Sequence, residues 1–283
     1  MNALYAVVEG RFGTVEVRTI SDNLSNHAHA NLHLQFGYWM GGGTALAQIG
    51  TERVTYNDGF VVGINRYESH DFSLDAPDSP AILLELSLQL AWLYEVQSDR
   101  VPPVLHAMPS MASSPEIQQA ASLLMQNILA SHHRDAQAIE AAVTHLVRLT
   151  LARTAQGARP VALPLRRKLI DYRLRLALAY MQDPAVTVHS INDLAKRVGL
   201  SRSRLYELFQ RELNSSPQVV WKSIRMQRAI HIVGAGGDDL AAVATKLGFS
   251  SPGNFTRYFR GVMGVTPSAF RKAALKKRFN ESL

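Results

Sequence analysis

Short apolar or alternating runs, separated by turn residues, dominate the first 90 residues of the chain. Val15 and Val17 alternate with Glu16 and Arg18, a period-two pattern that is typical of a half-buried β-strand. Turn signals such as Asn57-Asp58-Gly59 lie between the runs. The pattern therefore predicts a β-sandwich or a small β-barrel. The predicted strands are residues 4–9, 14–20, 32–40, 44–49, 52–56, 60–64 and 81–86.

The hydrophobic period becomes helical between residues 115 and 154. Ser114 and Pro115 suit the N-cap and the first position of a helix. Two apolar stripes follow, with the polar turn 131–135 between them, and they predict a helical hairpin. These stripes need a partner surface, which is either the β-barrel or a second copy of the hairpin.

The second half of the chain contains an internal repeat. Residues 191–199 align with residues 240–248 at an offset of 49, and the offset becomes 50 for the later pairs. Each copy predicts a capped short helix, a glycine turn and a second helix, which is the helix-turn-helix pattern. The two units span about 190–213 and 239–263, and a helix over 217–233 joins them.

The second helix of each unit has a polar face that points away from the predicted core. Side chains on such a face can reach base edges and phosphates in a DNA major groove. An αα corner without DNA is the alternative for a single unit, but the duplication favours DNA binding. The candidate DNA-binding residues are Arg202, Ser203, Arg204, Tyr206, Glu207, Asn254, Thr256, Arg257 and Arg260.

The formal net charge of +7 is distributed very unevenly. Residues 1–159 hold 9 Arg and no Lys against 15 acidic residues, whereas residues 160–283 hold 21 basic and 8 acidic residues. The halves therefore carry −6 and +13, so the second half is expected to meet a polyanion, either nucleic acid or an anionic membrane. The predicted domains are 1–156 and 165–283, with a glycine- and proline-containing linker at 157–164.

The absence of cysteine removes several functions from consideration. A disulfide scaffold, a thiol nucleophile and a thiolate zinc site all require this residue. The apolar runs are far shorter than the roughly 18 residues of a membrane span, and no signal peptide is visible at the start. A cytoplasmic protein is expected.

The repeat-bearing half resembles the AraC/XylS family of bacterial transcription regulators over residues 165–279, most specifically over 240–271. The resemblance implies a seven-helix domain that places two recognition helices in successive major grooves. It also implies that bases are faced by Ser203, Tyr206 and Glu207 in the first unit, and by Pro252, Gly253, Asn254 and Arg257 in the second. Glu207 departs from the family pattern, in which a basic or polar residue is common at this position. Because phosphates repel a carboxylate, this side chain either accepts from a cytosine amino group or lowers the affinity for DNA. Pro252 and Gly253 offer no side-chain donor.

The first half is similar to the cupin-type sensor domain of that family, so the expected fold class is α+β. His27, His29 and His70 echo the histidines of metal-binding cupins, but the expected glutamate is out of register and Gln35 is the nearest polar residue. These histidines either hold a metal, line a ligand pocket or have no special role. Ligand binding is the prediction, and no metal or other cofactor is expected.

The combined features predict an effector-responsive transcription activator and not an enzyme. The expected partners are double-stranded DNA, a small-molecule effector, RNA polymerase and a second copy of the chain, which pairs through the 115–154 helices. A repressor, a cupin metalloenzyme with a DNA-binding tail and a nucleoid-type protein are the alternatives. A methyl-acceptor repair role, known among relatives, needs a cysteine that this chain lacks.

Overall fold

The computed structural model describes residues 3–20, 29–74, 80–97, 110–130, 135–157, 171–183, 190–213 and 215–278. The N-terminal part consists of antiparallel strands and three helices, and the C-terminal part is helical. The strands are β1 (Ala3–Gly10), β2 (Gly13–Ile20), β3 (Leu34–Gly41), β4 (Ala45–Ile49), β5 (Glu52–Tyr56), β6 (Phe60–Ile64), β7 (His70–Leu74), β8 (Ala81–Leu88) and β9 (Ser110–Ala112).

The helices include the predicted hairpin and both predicted helix-turn-helix units, with α1 and α4 as additions that no hydrophobic period predicted. They are α1 (Leu90–Gln97), α2 (Pro115–Ala130), α3 (Ala136–Gly157), α4 (Tyr172–Gln182), α5 (Ile191–Arg197), α6 (Arg202–Leu213), α7 (Pro217–Ala235), α8 (Leu240–Lys246), α9 (Pro252–Met263) and α10 (Pro267–Arg278). None of these described helices is long and apolar enough to cross a lipid bilayer. The α+β fold class is confirmed.

Two antiparallel sheets form the N-terminal domain. The larger has the strand order β1-β2-β8-β3-β6-β9, and the smaller has the order β5-β4-β7. All seven predicted strands are present, but β7 and β9 were missed. Strand β7 was missed because only its first and last residues, His70 and Leu74, are buried. Its residues therefore show no alternation of buried and exposed positions.

The α2–α3 hairpin covers one face of the larger sheet. Val15 and Val17 of β2 share a buried core with Leu124 of α2 and Val143 of α3. The hairpin prediction is confirmed, and its apolar stripes pack on the sheet of the same chain. The sequence left two partner surfaces open for these stripes, the β-barrel and a second copy of the hairpin. In the structure, the stripes pack on the β-sheet domain.

The opposite face of the larger sheet carries both polar and apolar side chains, and it is buried too. Glu16 keeps only 8% of its surface exposed, although the alternating pattern of β2 predicts a solvent-facing side chain. The smaller sheet and the helical domain cover this face. Tyr56 of the smaller sheet reaches Gly37 so closely that a Cβ there would lie 1.5 Å from the tyrosine hydroxyl. Glycine is therefore required at position 37.

Seven helices, α4 to α10, make up the described C-terminal domain and contain both predicted helix-turn-helix units. The backbone N–H of Asp193 donates to Ser190 Oγ (3.1 Å), which caps α5 as predicted. Gly199 and Gly248 adopt positive φ angles of 68° and 69° in the two turns. Asp239 occupies the N-cap position of α8, but its side chain makes no capping hydrogen bond.

The two domains share buried contacts. Val7 of β1 belongs to the apolar core that includes Phe270 of α10. Tyr67, which follows β6, packs in the core around α4 and accepts a hydrogen bond from Gln182 (2.8 Å). Most of the predicted linker at 157–164 lies outside the described residues, and the proposed domain boundaries remain predictions.

The packing of α2 predicts opposite results for two adjacent leucines. Leu124 is fully buried against the sheet, whereas Leu123 is 55% exposed. We expect Leu124→Ala to lower the free energy of unfolding by about 2–5 kcal/mol because it leaves a cavity. Leu123→Ala, the matched control, should change it by less than about 0.5 kcal/mol. Denaturant unfolding measures both, and equal losses would contradict the packing of this helix.

Candidate functional site

Helix α6 presents a polar face because its apolar residues all point into the domain. Leu205, Leu208 and Phe209 are buried. The backbone N–H of Arg204 donates to Ser201 Oγ (3.2 Å), so Ser201 caps the helix as the sequence predicts. The buried side chains and the cap therefore fix the orientation of the outward residues of this helix. They are Arg202, Ser203, Arg204 and Glu207, which are exposed, and Tyr206, which is half-buried.

The exposed side chains of α6 are organised by contacts with one another. Arg204 donates to Glu207 across one helical turn (Nη1 to Oε2, 2.8 Å). The Arg202 guanidinium lies over the Tyr206 ring, 5.4 Å from the ring centre. Arg202 also donates to Asn192 Oδ1 (3.3 Å). These pairs hold two guanidinium groups at the surface in defined positions.

Helix α9 is the counterpart of α6 in the second unit. Phe255 and Phe259 are buried, and Ser251 Oγ caps the helix by accepting from the N–H of Asn254 (3.1 Å). The Asn254 side chain donates to Ser250 Oγ (2.7 Å) and accepts from Arg257 Nη1 (3.3 Å). Asn254, Arg257 and Arg260 are exposed, and Thr256 is half-buried.

Helix α7 joins the two units and contacts both of them. Val220 and Ile224 lie in the core of the first unit, and Met226 and Val233 lie in the core of the second. On α7, Arg225 donates to the carbonyl of Leu247 (2.9 Å) in the second turn and lies 4.4 Å from the ring centre of Phe249. A single helix thus fixes the spacing of both polar helix faces.

A polar cavity lies between the buried face of the larger sheet and the helical domain. Its volume is about 80 Å³. Side chains of both sheets form its walls, while α7 and the end of α9 close it. The lining includes Glu16, Arg18, His29, Asn31, His33, Gln35, Tyr56, His70, Glu85, Ser87, Ser223, Met226, Gln227, Ile230, Val262 and Met263.

Two carboxylates and one guanidinium meet at the centre of this cavity. Glu16 and Glu85 are direct partners across β2 and β8, so the sheet register brings like charges together. Arg18, two residues along β2, donates to Glu16 and lies 3.4 Å from Glu85 Oε2. Burial by itself would lower the pKa of Arg18, but Glu85 and Glu16 outweigh that effect and raise it. Arg18 also donates to the carbonyl of Met263 (3.4 Å), the last residue of α9.

His29 and His70 are brought together at one end of the cavity. Their backbones form a two-way bridge, and their ring centres are 4.2 Å apart. His70 Nδ1 lies 3.0 Å from the carbonyl of Glu68, and Asn31 Nδ2 lies 3.2 Å from His70 Nε2. This pattern fits a neutral ring that donates from Nδ1 and accepts at Nε2. Burial lowers the pKa of His70, in agreement with a neutral form.

The structure thus sorts the residues that the sequence singled out. Seven of the nine candidate DNA-binding residues are exposed and two are half-buried, all on the outward faces of α6 and α9. His29 and His70 line one cavity, whereas His27 lies outside the described residues. Within the described ranges, no group of three or more His, Asp or Glu residues is arranged to hold a metal ion.

No sequence pattern predicted that several of these residues line a cavity. Glu16 and Glu85 are 69 positions apart, and only the strand register makes them partners. Ser223 of α7 accepts a hydrogen bond from the backbone N–H of Ala30 (3.0 Å), which links the helical domain to the residue next to His29. No local pattern marks a contact between positions so distant in the chain.

Comparisons with known proteins agree with this architecture. A family model described as a helix-turn-helix domain matches residues 194–273. The arabinose operon regulatory protein of Salmonella typhimurium is 32% identical over 36% of this chain and 37% of its own length. An uncharacterized HTH-type transcriptional regulator of Bacillus subtilis, YdeC, is 23% identical over 90% of this chain and 89% of its own. Several other curated relatives are matched over about a third of their own length.

A solved structure extends the likeness to both domains. ToxT of Vibrio cholerae, determined with a bound unsaturated fatty acid, superposes with a TM-score of 0.59 over 91% of this chain and 94% of ToxT. The sequence identity is 13%, so this likeness concerns the fold. Fold and surface define a helix-turn-helix protein with an N-terminal β-sheet domain. Together with the matched domain and the relatives, they support the resemblance of the helix-turn-helix half of the chain to the AraC/XylS family.

The buried carboxylates predict how stability depends on pH. Burial raises the pKa of Glu16, and Glu85 adds to this effect while Arg18 opposes it. The folded state therefore keeps a proton on Glu16 at pH values where the unfolded chain has lost it, and stability falls as the pH rises through this window. Glu16→Gln removes the titration, so the variant should gain stability relative to the native chain as the pH rises above 4.5, the ordinary pKa of a glutamic acid.

The charged groups that act on Glu16 are Arg18 of the same strand, Glu85 of β8 and Glu9 of β1. Helices α7 and α9 bring only uncharged side chains to the cavity. Denaturant unfolding at several pH values measures the difference. Glu52→Gln, an exposed carboxylate on β5, serves as the control. A difference between Glu16→Gln and the native chain that does not change with pH would contradict the raised pKa.

Proposed function

We propose that this protein is a sequence-specific DNA-binding regulator of transcription that responds to a small-molecule effector and acts as an activator. The observation that carries the proposal is the pair of helix-turn-helix units on one connecting helix, each with an exposed polar face. The charge of +13 over residues 160–283 supports contact with phosphates. Repression is the alternative for the direction of control.

In this proposal, α6 and α9 lie in successive major grooves and contact the bases. Arg204 and Arg257 suit guanine, Asn254 suits adenine, and Glu207 accepts from the amino group of cytosine. The Arg204–Glu207 ion pair (2.8 Å) orients both side chains but weakens the attraction of Arg204 for phosphate. Because Pro252 and Gly253 lack donors, base reading by α9 depends on Asn254 and Arg257.

The cavity between the domains is the proposed effector site. It contains His29 and His70, and it is closed by the helix that joins the two DNA-binding units. A molecule bound there would contact both domains and change how α6 and α9 are presented. The fatty acid bound in ToxT gives a precedent for a ligand in a protein of this fold.

A cupin metalloenzyme fits the residues less well. A metal ligand needs a free nitrogen lone pair, but both His70 nitrogens already lie within hydrogen-bond distance of other groups. The matched model describes a helix-turn-helix domain, and the relatives carry names of regulators, which favours control of transcription over catalysis. We therefore propose a bacterial cytoplasmic regulator that contacts RNA polymerase when it activates.

Dimerisation through the α2–α3 hairpin completes the proposal, because two copies would place four recognition helices on paired half-sites. Leu123 and Leu129 of α2 are 55% and 50% exposed, although most apolar residues of the hairpin are buried on the sheet. These two leucines are the apolar surface that remains for a second copy.

Substitution of Arg257 tests DNA reading. Arg257→Ala should weaken binding to the specific site by about 1–3 kcal/mol, because it removes a base contact. The measurement is fluorescence anisotropy with a duplex obtained by in vitro selection and with its scrambled version. Arg53→Ala, an exposed arginine on β5 of the other domain, is the control. Unchanged discrimination between the two duplexes would refute the role of Arg257.

Charge placed on α2 tests the dimer. The double variant Leu123→Asp/Leu129→Asp should be monomeric by light scattering, because two carboxylates cannot be buried without partners. Leu46→Asp alters a leucine of β4 with a similar exposed fraction, 48%, and should leave the dimer intact. A double variant that remains dimeric would place the interface elsewhere.

A further inference from the structure

The turn of the second helix-turn-helix unit is tied to α7 by one arginine. Arg225 Nε and Nη2 both donate to the carbonyl of Leu247, the C-cap residue of α8, and the first of these bonds is 2.9 Å long. The last carbonyls of a helix have no partner within the helix, so a side chain that donates to one of them satisfies it. Arg225 therefore holds the point at which the chain leaves α8 and turns toward α9.

The same guanidinium packs on an aromatic cluster that reaches α9. It lies 4.4 Å from the ring centre of Phe249, in the turn. The Phe249 ring centre is 5.3 Å from that of Phe255 and 5.4 Å from that of Tyr258, and both of these residues belong to α9. The Tyr258 hydroxyl donates to the carbonyl of Lys222 on α7 (2.8 Å). Arg225, Phe249 and Tyr258 thus connect α7 to the turn and to α9.

The base-facing residues of α9 are direct neighbours of these aromatic residues in the sequence. Asn254 precedes Phe255, and Arg257 precedes Tyr258. Because a helix is rigid over such short distances, a rotation of α9 that moves the two rings also moves both base-facing side chains. Base reading by α9 depends on these two side chains in the proposed function, and hydrogen bonds weaken steeply when they are misaligned. The orientation of α9 is therefore expected to matter for discrimination between bases.

The corresponding arginine of the first unit has different surroundings. Met226, which follows Arg225, is buried in the core of the second unit. Leu174, which follows Arg173 on α4, is buried in the core of the first unit in the same way. Arg173 is therefore the counterpart of Arg225, but it is exposed, whereas Arg225 is half-buried against the turn. The fold of a unit does not require a buried arginine at this position, so Arg225 has a particular role in the second unit.

We propose that Arg225 is a positioning residue that sets the orientation of α9 relative to α7, and thereby the discrimination that Asn254 and Arg257 achieve between bases. This inference rests on the proposed function, since it concerns how the second unit reads DNA. An arginine suits the role because its planar group donates two hydrogen bonds while its face packs on an aromatic ring. A lysine has a compact ammonium group that cannot do both in this way.

Duplexes altered in one part of the binding site at a time test this role. The intact duplex comes from in vitro selection with the native chain, and Arg257→Ala identifies the part that α9 contacts, because scrambling that part should matter least in this variant. Fluorescence anisotropy gives the ratio of the dissociation constants of the scrambled and intact duplexes. Arg225→Gln should lower this ratio about tenfold for the α9 part and change it less than about twofold for the α6 part. Arg225→Lys should lower the α9 ratio by an intermediate factor, about threefold.

Two other arginines provide matched controls, because each substitution removes one positive charge and the ratio cancels a general loss of phosphate attraction. Arg173→Gln alters the exposed counterpart, so both ratios should equal those of the native chain. Arg228→Gln alters a second half-buried arginine of α7, which donates to the carbonyl of Gln182 (2.6 Å) at the end of α4. It should lower stability in denaturant unfolding but keep the α9 ratio, which separates a general loss of stability from a loss of positioning.

Hydrogen exchange without DNA supplies a readout that does not depend on the proposed function. The backbone amides of α9 should exchange faster in Arg225→Gln than in the native chain, while those of α6 should not change. Tyr258→Phe removes the hydroxyl that bonds to α7 and keeps the ring. It should change the same amides and lower the α9 ratio, so it serves as the second variant if Arg225→Gln does not fold.

Several results would overturn the proposal. They are an unchanged α9 ratio in Arg225→Gln, an equal fall of the α6 and α9 ratios, a fall of the α9 ratio in Arg228→Gln as large as in Arg225→Gln, and unchanged exchange of the α9 amides. A native chain that binds every duplex equally would instead refute the proposed function. The exchange of the α9 amides would then still decide whether Arg225 holds this helix.

Discussion

Arg18 holds together a contact that the strand register would otherwise make repulsive. The pairing of β2 with β8 sets Glu16 against Glu85 on a face that both the smaller sheet and the helical domain cover. Removal of one partner from a buried ion cluster is commonly strongly destabilising, because it leaves an uncompensated charge. The guanidinium also reaches the carbonyl of Met263, at the negative end of the α9 dipole. The same side chain therefore stabilises the sheet and touches the end of the second recognition helix.

The two helix-turn-helix units owe their geometry to caps, glycines and one long helix. Ser201 and Ser251 start the recognition helices, while Gly199 and Gly248 allow the turns before them. Helix α7 then fixes the distance between the units through buried residues at both of its ends. A rigid spacing matters because successive major grooves on one DNA face are separated by one helical turn, about 34 Å. Flexible tethering of the units would spread their positions and weaken joint binding.

Local rules were sufficient for the two helix-turn-helix units and for most strands. The repeat at offsets 49 and 50 marks both units, since each contains the same caps and apolar positions, and the α2–α3 stripes mark the hairpin. The same rules failed for the polar face of β2. Alternation of Val15, Glu16, Val17 and Arg18 predicts one solvent-exposed face, but the smaller sheet covers it together with α7 and α9, whose residues there lie more than 200 positions later. Period-two patterns report polarity and not exposure, so a buried polar cavity leaves no local signal.

The cavity lies where a bound molecule can affect the DNA-binding units. Its walls belong to the β-sheet domain, whereas α7 and the end of α9 close it, so whatever occupies it interacts with both domains at once. A ligand can shift an equilibrium between domain arrangements only by the difference in its affinity for them. The hydrogen bonds from Ala30 to Ser223 and from Arg18 to Met263 are the contacts through which such a shift would reach α7 and α9.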